Sequence, residues 1–143
     1  MYAIDCEATI RGRLSDVWTT WTDMARYPEW DPREEALRID GPFEAGTTGW
    51  SKQVGPRPGS PFRLVRVDAP NGWTNESPLP GGTLQIDHVL TDGGDGTVHL
   101  LKRYEVSGPM QVAFRLIFAR AIRRDAPATF TALEAETARR AAE

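Results

Sequence analysis

The stretch SDVWTTWTDMARYPEWDP, residues Ser15 to Pro32, combines a short helix with an aromatic cluster that two prolines interrupt. Ser15 is a residue type that helices prefer at the N-cap, and an acidic Asp16 in the first turn suits the helix dipole. One apolar face then follows at helical spacing, formed by Val17, Trp18, Trp21 and Met24. Pro28 limits the helix to about two turns. The stretch predicts a short helix pair.

Alternating apolar and polar residues predict strands on both sides of this stretch. Tyr2 to Ile10 alternates before it, as half-buried strands do. After it, six further strands are predicted, over residues 36–39, 46–54, 62–67, 72–76, 83–91 and 97–106. Turns rich in glycine and proline separate several of them. Consecutive strands joined by short turns indicate an antiparallel meander.

The end of the chain has a helical pattern that begins at Pro109. An apolar stripe steps by three or four residues and contains Met110, Phe114, Ile117, Phe118 and Ala121. Pro127 is expected to kink or interrupt this helix, since proline lacks the amide donor. The predicted fold is α+β, a single domain over residues 1–143. Its curved antiparallel sheet of about six to seven strands wraps around a long C-terminal helix.

Composition excludes several classes of protein. The chain has 143 residues and a net charge of −3, with a pI near 5.4, which argues against a nucleic-acid binder. Cys6 is the single cysteine, so a reduced, cytoplasmic setting is expected. The N-terminus lacks the pattern of a secretory signal. No apolar run approaches the ~20 residues that span a bilayer, so no integral membrane association is expected.

The order of elements resembles the START and birch-pollen-allergen superfamily, and within it the bacterial polyketide cyclase/dehydrase group called SRPBCC. The residues that carry the resemblance are Val17-Trp18, Asp23, Tyr27-Pro28-Glu29-Trp30, Gly46, Gly49, Asp95-Gly96-Thr97 and Ser107-Gly108-Pro109. The resemblance implies a helix-grip fold with a deep cavity between sheet and helix. Members bind sterols, lipids, polyketides, hormones or aromatic compounds, and some are cyclases.

His88 is the first candidate site residue, because it shares a strand face with Leu84, Ile86 and Leu90. A neutral imidazole in an apolar cavity can donate to a ligand carbonyl or act as a general base. A histidine satisfied inside the core is the alternative. Arg103 and Tyr104 alternate on the next strand, so only one of them can face the cavity. Arg103, or His99 on the same face, would anchor an anionic or carbonyl ligand, and Tyr104 would offer an aromatic surface with a hydroxyl group.

Aromatic side chains supply the remaining candidates for ligand contact. Trp50, Phe62 and Trp73 lie on strands of the predicted sheet, and Phe114 and Phe118 would form the opposite wall on the helix. Core packing is the alternative for each. Two histidines and one cysteine are too few for a dedicated zinc site, and no motif indicates a cofactor. Neither a metal nor a cofactor is therefore expected.

Three functions are compatible with these patterns. The first is binding of a small apolar or aromatic ligand, such as a lipid or polyketide, in a cavity of roughly 300–1,000 Å³. The second is a polyketide cyclase/aromatase or dehydratase-like enzyme, in which His88 with Arg103 or Tyr104 would transfer protons. The third is a chaperone-associated or toxin-partner protein with an exposed apolar patch. The partner is expected to be a small hydrophobic molecule, and the chain is expected to be a monomer or homodimer.

Overall fold

Seven antiparallel strands form one curled sheet in the computed structural model, which describes residues 1–143. The strands are β1 (Tyr2–Arg11), β2 (Glu34–Ile39), β3 (Thr48–Gln53), β4 (Ser60–Asp68), β5 (Gly72–Leu79), β6 (Gly82–Asp92) and β7 (Thr97–Val106). Their order across the sheet is β1-β7-β6-β5-β4-β3-β2. The predicted α+β fold with a meandering antiparallel sheet is confirmed.

The short helices after β1 are α1 (Leu14–Thr22), a 3-10 turn (Met24–Arg26) and α2 (Tyr27–Trp30). The predicted N-cap at Ser15 is wrong, because Arg13 has the extended backbone of an N-cap and no side chain caps the helix. Ser15 lies within the first turn, where its carbonyl accepts a hydrogen bond from Thr19 Oγ1 at 2.9 Å. The apolar spacing is nevertheless correct, since Val17, Trp21 and Met24 are buried.

The C-terminal helix is continuous over residues 111–141, 31 residues in all. It contains a helical turn α3 (Gln111–Ala113), a π-helical turn (Phe114–Phe118) and α4 (Ala119–Ala141). The expected interruption at Pro127 is wrong, because α4 runs through this residue. The irregularity lies upstream, in the π-helical turn. None of the helices combines the length and the hydrophobicity that a membrane-spanning segment requires.

The π-helical turn changes which residues of the C-terminal helix face the sheet. It adds one residue to a turn, so the buried face passes from Phe114 to Ala119 and then continues at α-helical spacing through Phe130 and Leu133. Ile117, predicted to belong to the apolar stripe, is 65% exposed. The prediction was wrong because α-helical spacing does not hold across these five residues.

The helical stretch after β1 joins the sheet to the C-terminal helix. On the sheet side, the ring of Trp73 on β5 meets Trp21 and Trp18 edge-on, with centroids 4.9 Å and 5.8 Å apart. On the helix side, Asp31 Oδ1 accepts a hydrogen bond from Thr129 Oγ1 at 3.0 Å. Edge-to-face aromatic pairs contribute roughly 0.5–1.5 kcal/mol each beyond their burial. The stretch therefore acts as a wedge that positions the helix over the concave face of the sheet.

Candidate ligand-binding site

Two adjoining cavities lie between the sheet and the C-terminal helix. The larger has a volume of about 140 Å³ and lies between α4 and the residues of β2, β3 and β7. The smaller, of about 80 Å³, extends beneath β4, β5 and β6. Glu34, Gln53 and Lys102 line both cavities. These volumes are below the range expected from the sequence, since apolar core side chains fill much of the concave face.

Lys102 lies on the inner face of the sheet, midway along β7, which is the second strand from one edge. Its Cα is paired with Cys6 of β1 on one side and with His88 of β6 on the other, and paired residues of antiparallel strands point to the same face. Its ammonium nitrogen lies 5.3 Å from the centroid of the Tyr104 ring. Of the two lysines, Lys52 pairs with Glu35 at 2.9 Å, whereas Lys102 forms no ion pair.

The pKa of Lys102 remains above its usual value despite its position. Burial disfavours the ammonium, but the influence of Tyr104, together with the charges of Asp31 and Glu34, outweighs that effect and raises the pKa. Lys102 is therefore a positive charge between the uncharged inward-facing residues Leu100 and Tyr104 of β7. A buried cation without a directly paired anion is costly unless something compensates it.

Glu34 opens β2 and is the acidic group common to both cavities. Its Oε1 atom is buried and has no hydrogen-bond partner. Burial raises the pKa of this carboxyl to about 7, and the positive charge of Lys102 only partly opposes the rise. Near neutral pH the group therefore exchanges readily between its protonated and ionised forms, as a general acid or base must.

Other charged side chains around the larger cavity are mostly paired with one another. Asp125 forms ion pairs with Arg124 at 3.1 Å and with Arg33 at 3.5 Å. Arg57 is the exception, since its guanidinium lies 4.6 Å from the centroid of the Phe118 ring and meets no carboxylate. Lys102 and Arg57 are thus two cations that line the cavity and lack an anionic partner.

His88, the first candidate from the sequence, lines the smaller cavity. Its ring stacks on Trp73, with centroids 4.0 Å apart and an interplanar angle of 7°. Its Nδ1 lies 3.4 Å from the Trp73 carbonyl oxygen. Burial, helped by the charge of Lys102, lowers the pKa of His88 well below its usual value. The imidazole is therefore neutral and largely engaged by its neighbours.

The register of β7 decides between Arg103 and Tyr104. Tyr104 pairs with Ile4 and Ile86 and lines the larger cavity. Arg103 lies on the outer face, where it donates to both carboxylate oxygens of Asp5 at 2.7 and 2.9 Å. Arg103 is therefore not part of the cavity wall, and neither is His99, which shares its face of the strand.

Four of the five predicted aromatic contacts divide into three groups. Phe62 lines the smaller cavity. Trp73 and Phe114 are buried in the core and line neither cavity. Phe118 is half-buried beneath Arg57.

Trp50 is on the wrong side of the sheet to face the cavities. It pairs with Pro61, whereas the neighbouring Gly49 pairs with the buried Phe62. Its ring packs so closely on Gly59 that an added Cβ atom there would lie 1.9 Å from it. The expectation that Trp50 faces the cavity is wrong, because strand register places the residue on the outer face.

Lys102 and Glu34 were not among the candidates from the sequence. Lys102 did leave a signal, because it interrupts an apolar face that contains Val98, Leu100 and Val106. Glu34 left none, since it precedes the predicted strand and no pattern indicates that its carboxyl is buried.

Comparison with solved structures identifies the architecture. The Zhui aromatase/cyclase from Streptomyces sp. R1128 superposes with a TM-score of 0.82 over 98% of this chain and 95% of that chain, at 13% identity. The chain has the START-like helix-grip fold. No protein-family model matches the sequence, and no curated protein matches it.

Two further structures share this helix-grip fold. A START superfamily protein from Mycobacterium smegmatis gives a TM-score of 0.73 over 97% of this chain and 99% of that chain, at 10% identity. Norcoclaurine synthase from Thalictrum flavum gives 0.71 over 93% of this chain and 84% of that chain, at 17% identity. At these identities the likeness concerns the fold, and the residues of the site must carry the functional argument.

Proposed function

We propose that the protein binds a small organic anion with a single ring, such as an aromatic carboxylate or phenolate. The ligand would occupy the two adjoining cavities that Lys102 lines. The observation that carries this proposal is the ammonium of Lys102, which faces the cavities and forms no ion pair. An anionic oxygen beside Lys102 would supply the missing partner. Charge-assisted hydrogen bonds of this kind contribute roughly 1.5–3 kcal/mol.

The volume of the cavity supports a ligand of one ring. An apolar cavity of ~150 Å³ holds benzene, and the larger cavity here has about 140 Å³. Ile122 and Phe130 supply apolar contacts, and Tyr104 adds an aromatic face. A lipid or a long polyketide chain, as expected from the family resemblance, would require the helix to move away from the sheet.

The charge around the cavity supports an anion over a neutral molecule. Arg57 is a second cation without a carboxylate partner, so the cavity offers one positive charge in its wall and another beside the helix. Glu34 does not oppose this arrangement at neutral pH, because its raised pKa allows it to take up a proton and donate to the ligand.

Benzoate and its neutral isostere benzamide are the probes that test this proposal. Thermal unfolding should show that benzoate raises the melting temperature more than benzamide does, since a ligand that binds only the folded state stabilises it. In calorimetric titration, Lys102→Met should weaken benzoate binding by about tenfold or more. Equal binding of the two probes would contradict the proposal.

Lys52→Met is the matched control, because Lys52 is the only other lysine and pairs with Glu35 outside the cavity wall. It should bind benzoate as the wild type does. A Lys102→Met variant that retains full benzoate affinity, or a Lys52→Met variant that loses as much, would rule out the proposed anchor.

An acid–base enzyme is a second candidate, favoured by the position and pKa of Glu34. The polyketide cyclase/aromatase or dehydratase-like activity considered above would then use Glu34 in place of His88. Glu34 would remove a proton beside a carbonyl group, and Lys102 would stabilise the resulting enolate oxygen. His88 is less suited, because its imidazole is stacked on Trp73 and its pKa is strongly lowered.

Deuterium exchange into the methyl group of acetophenone tests this enzymatic alternative. Wild-type protein in D₂O should accelerate the exchange that NMR detects, and Glu34→Gln should abolish the acceleration. His88→Ala should retain most of it. Exchange at the uncatalysed rate would leave simple ligand binding as the proposed function.

A further inference from the structure

A group of aliphatic and arginine side chains on the first half of the C-terminal helix has no covering element. Leu116, Ile117 and Val112 are 75%, 65% and 62% exposed, and they are the most exposed large apolar residues after Met1. Exposed arginines surround them. The arginine–aliphatic surface comprises Val112, Arg115, Leu116, Ile117, Arg120, Arg123 and Arg124.

The π-helical turn is the structural cause of this exposure. An uninterrupted α-helix would carry Ile117 toward the sheet, on the same side as Phe114. The additional residue of the turn rotates Ile117 outward, beside Leu116, and brings Ala119 into the core instead. The core therefore loses the burial of a large aliphatic side chain, and the surface gains an exposed one.

This surface is positively charged, whereas the protein as a whole is negatively charged. Residues 106–124 contain four arginines and no acidic residue, although the whole chain has a net charge of −3. Arg120 and Arg123 form no ion pair. Arginines whose long apolar stems flank exposed aliphatic residues can hold their charges at the level of lipid phosphates while the aliphatic groups enter the bilayer.

We propose that the arginine–aliphatic surface docks the protein on membranes that carry anionic lipids. An anionic bilayer matches both features, since its phosphates would pair with Arg120 and Arg123 and its acyl region would accept Leu116 and Ile117. A single projecting helix face suits a flat, deformable surface more than the close-fitting groove of a protein partner. The surface also adjoins the larger cavity, because Arg124 borders both.

Vesicle flotation tests this docking with the full chain. The vesicles are phosphatidylcholine alone or phosphatidylcholine mixed with phosphatidylglycerol. The wild type should float with the mixed vesicles, remain free with the neutral ones, and dissociate as salt is added. Replacing Arg120 and Arg123 by glutamate should weaken binding by about fivefold or more for each arginine. The Leu116→Ser/Ile117→Ser variant should weaken it by about tenfold or more.

Arg13→Glu and Val54→Ser are the matched controls, because both residues are exposed and lie outside the surface. Each makes the same type of substitution at a single position and should float as the wild type does. Each variant is first checked for an unchanged circular dichroism spectrum, which is expected since the replaced side chains are exposed. Should the serine variant fail to fold, the glutamate variant alone decides.

Three outcomes would overturn the proposal. They are absence of wild-type flotation, equal binding to neutral and mixed vesicles, and equal loss of binding in Arg13→Glu. A wild type that fails to float yet dimerises through Leu116 and Ile117 would identify the surface as a protein interface instead. Benzoate binding is measured in parallel without vesicles, so failure of membrane docking remains distinguishable from failure of the cavity to bind an anion.

Discussion

The C-terminal helix borders two groups of charged side chains. The members of one group form ion pairs with one another, and those of the other do not. At its end, Arg140 bridges Glu136 and Asp23, each at 3.2 Å, and Arg139 adds a 2.6 Å contact to Glu136. We call this group the helix-end network. In the cavities, Glu34 and Lys102 form no such ion pair. The second group is called the cavity pair.

The pKa values of the two glutamates express this difference. Hydrogen bonds from Arg139, assisted by Arg140, lower the pKa of Glu136 to about 2. Burial raises that of Glu34 to about 7. The helix-end network contributes stability that is present above about pH 4.5 and is lost as pH falls toward 2, because its carboxylate must then be protonated. Burial of the charged forms of Glu34 and Lys102 lowers the stability of the fold. Groups with pKa values perturbed in this way are typical of functional sites.

Among the changes to these charged groups, Arg140→Met should have the largest effect on stability. Arg140 is only 15% exposed and ties the helix to the loop that follows α1. Its loss should lower the free energy of unfolding by about 3 kcal/mol, measured by urea denaturation. Benzoate affinity should not change.

Arg139→Met is the control for this change, because the same Glu136 is contacted by a side chain that is 51% exposed. It should cost less than about 1 kcal/mol. If both variants lose the same stability, burial does not distinguish the two arginines and the helix-end network does not act as argued.

Titration of Glu34 should have an intermediate effect on the free energy of unfolding. Its folded pKa of about 7 exceeds its ordinary value of 4.5, so the folded protein holds the proton more tightly than the unfolded chain does. The free energy of unfolding should therefore fall by about 2 kcal/mol between pH ~5 and pH ~8, relative to Glu34→Gln. Urea denaturation at both pH values measures this difference. If the difference in free energy of unfolding between the wild type and Glu34→Gln is the same at both pH values, the pKa of Glu34 is not raised in the folded protein.

The smallest effect is expected for Arg103→Gln on the outer face of the sheet. Arg103 and Asp5 form a well-aligned pair, but both side chains are exposed by more than 40%. Denaturation should show a loss below about 1 kcal/mol, and benzoate titration should give the wild-type affinity. A loss of affinity would contradict the strand register that excludes Arg103 from the cavity wall.

The architecture could be predicted because its signals are local and repeated. Alternation in β1, β6 and β7 reports burial on one face, and turn residues separate the strands. The register of β7 could not be assigned, because both faces of the strand mix apolar and charged residues. Its pairing with β1 and β6 resolves that ambiguity and brings Lys102 into the cavity wall.

One irregular helical turn and two effects of tertiary packing account for what the sequence did not predict. The π-helical turn leaves no pattern of its own, so α-helical spacing assigned Ile117 to the core. The burial of Glu34 depends on α2, β2 and the C-terminal helix meeting around it, which a local pattern cannot report. Trp50 was misplaced for a related reason, since a large aromatic residue on a strand suits either face.

Cys6, on the strand beside the cavity wall, is a chemical reporter that requires no engineering. It is the only cysteine, it is buried, and it sits directly opposite Lys102 across β1 and β7. Burial raises the pKa of its thiol, which keeps it unreactive while the sheet and helix remain closed. The rate at which a thiol reagent labels Cys6 therefore reports how often the sheet and the helix separate. A ligand bound in the cavity should lower this labelling rate.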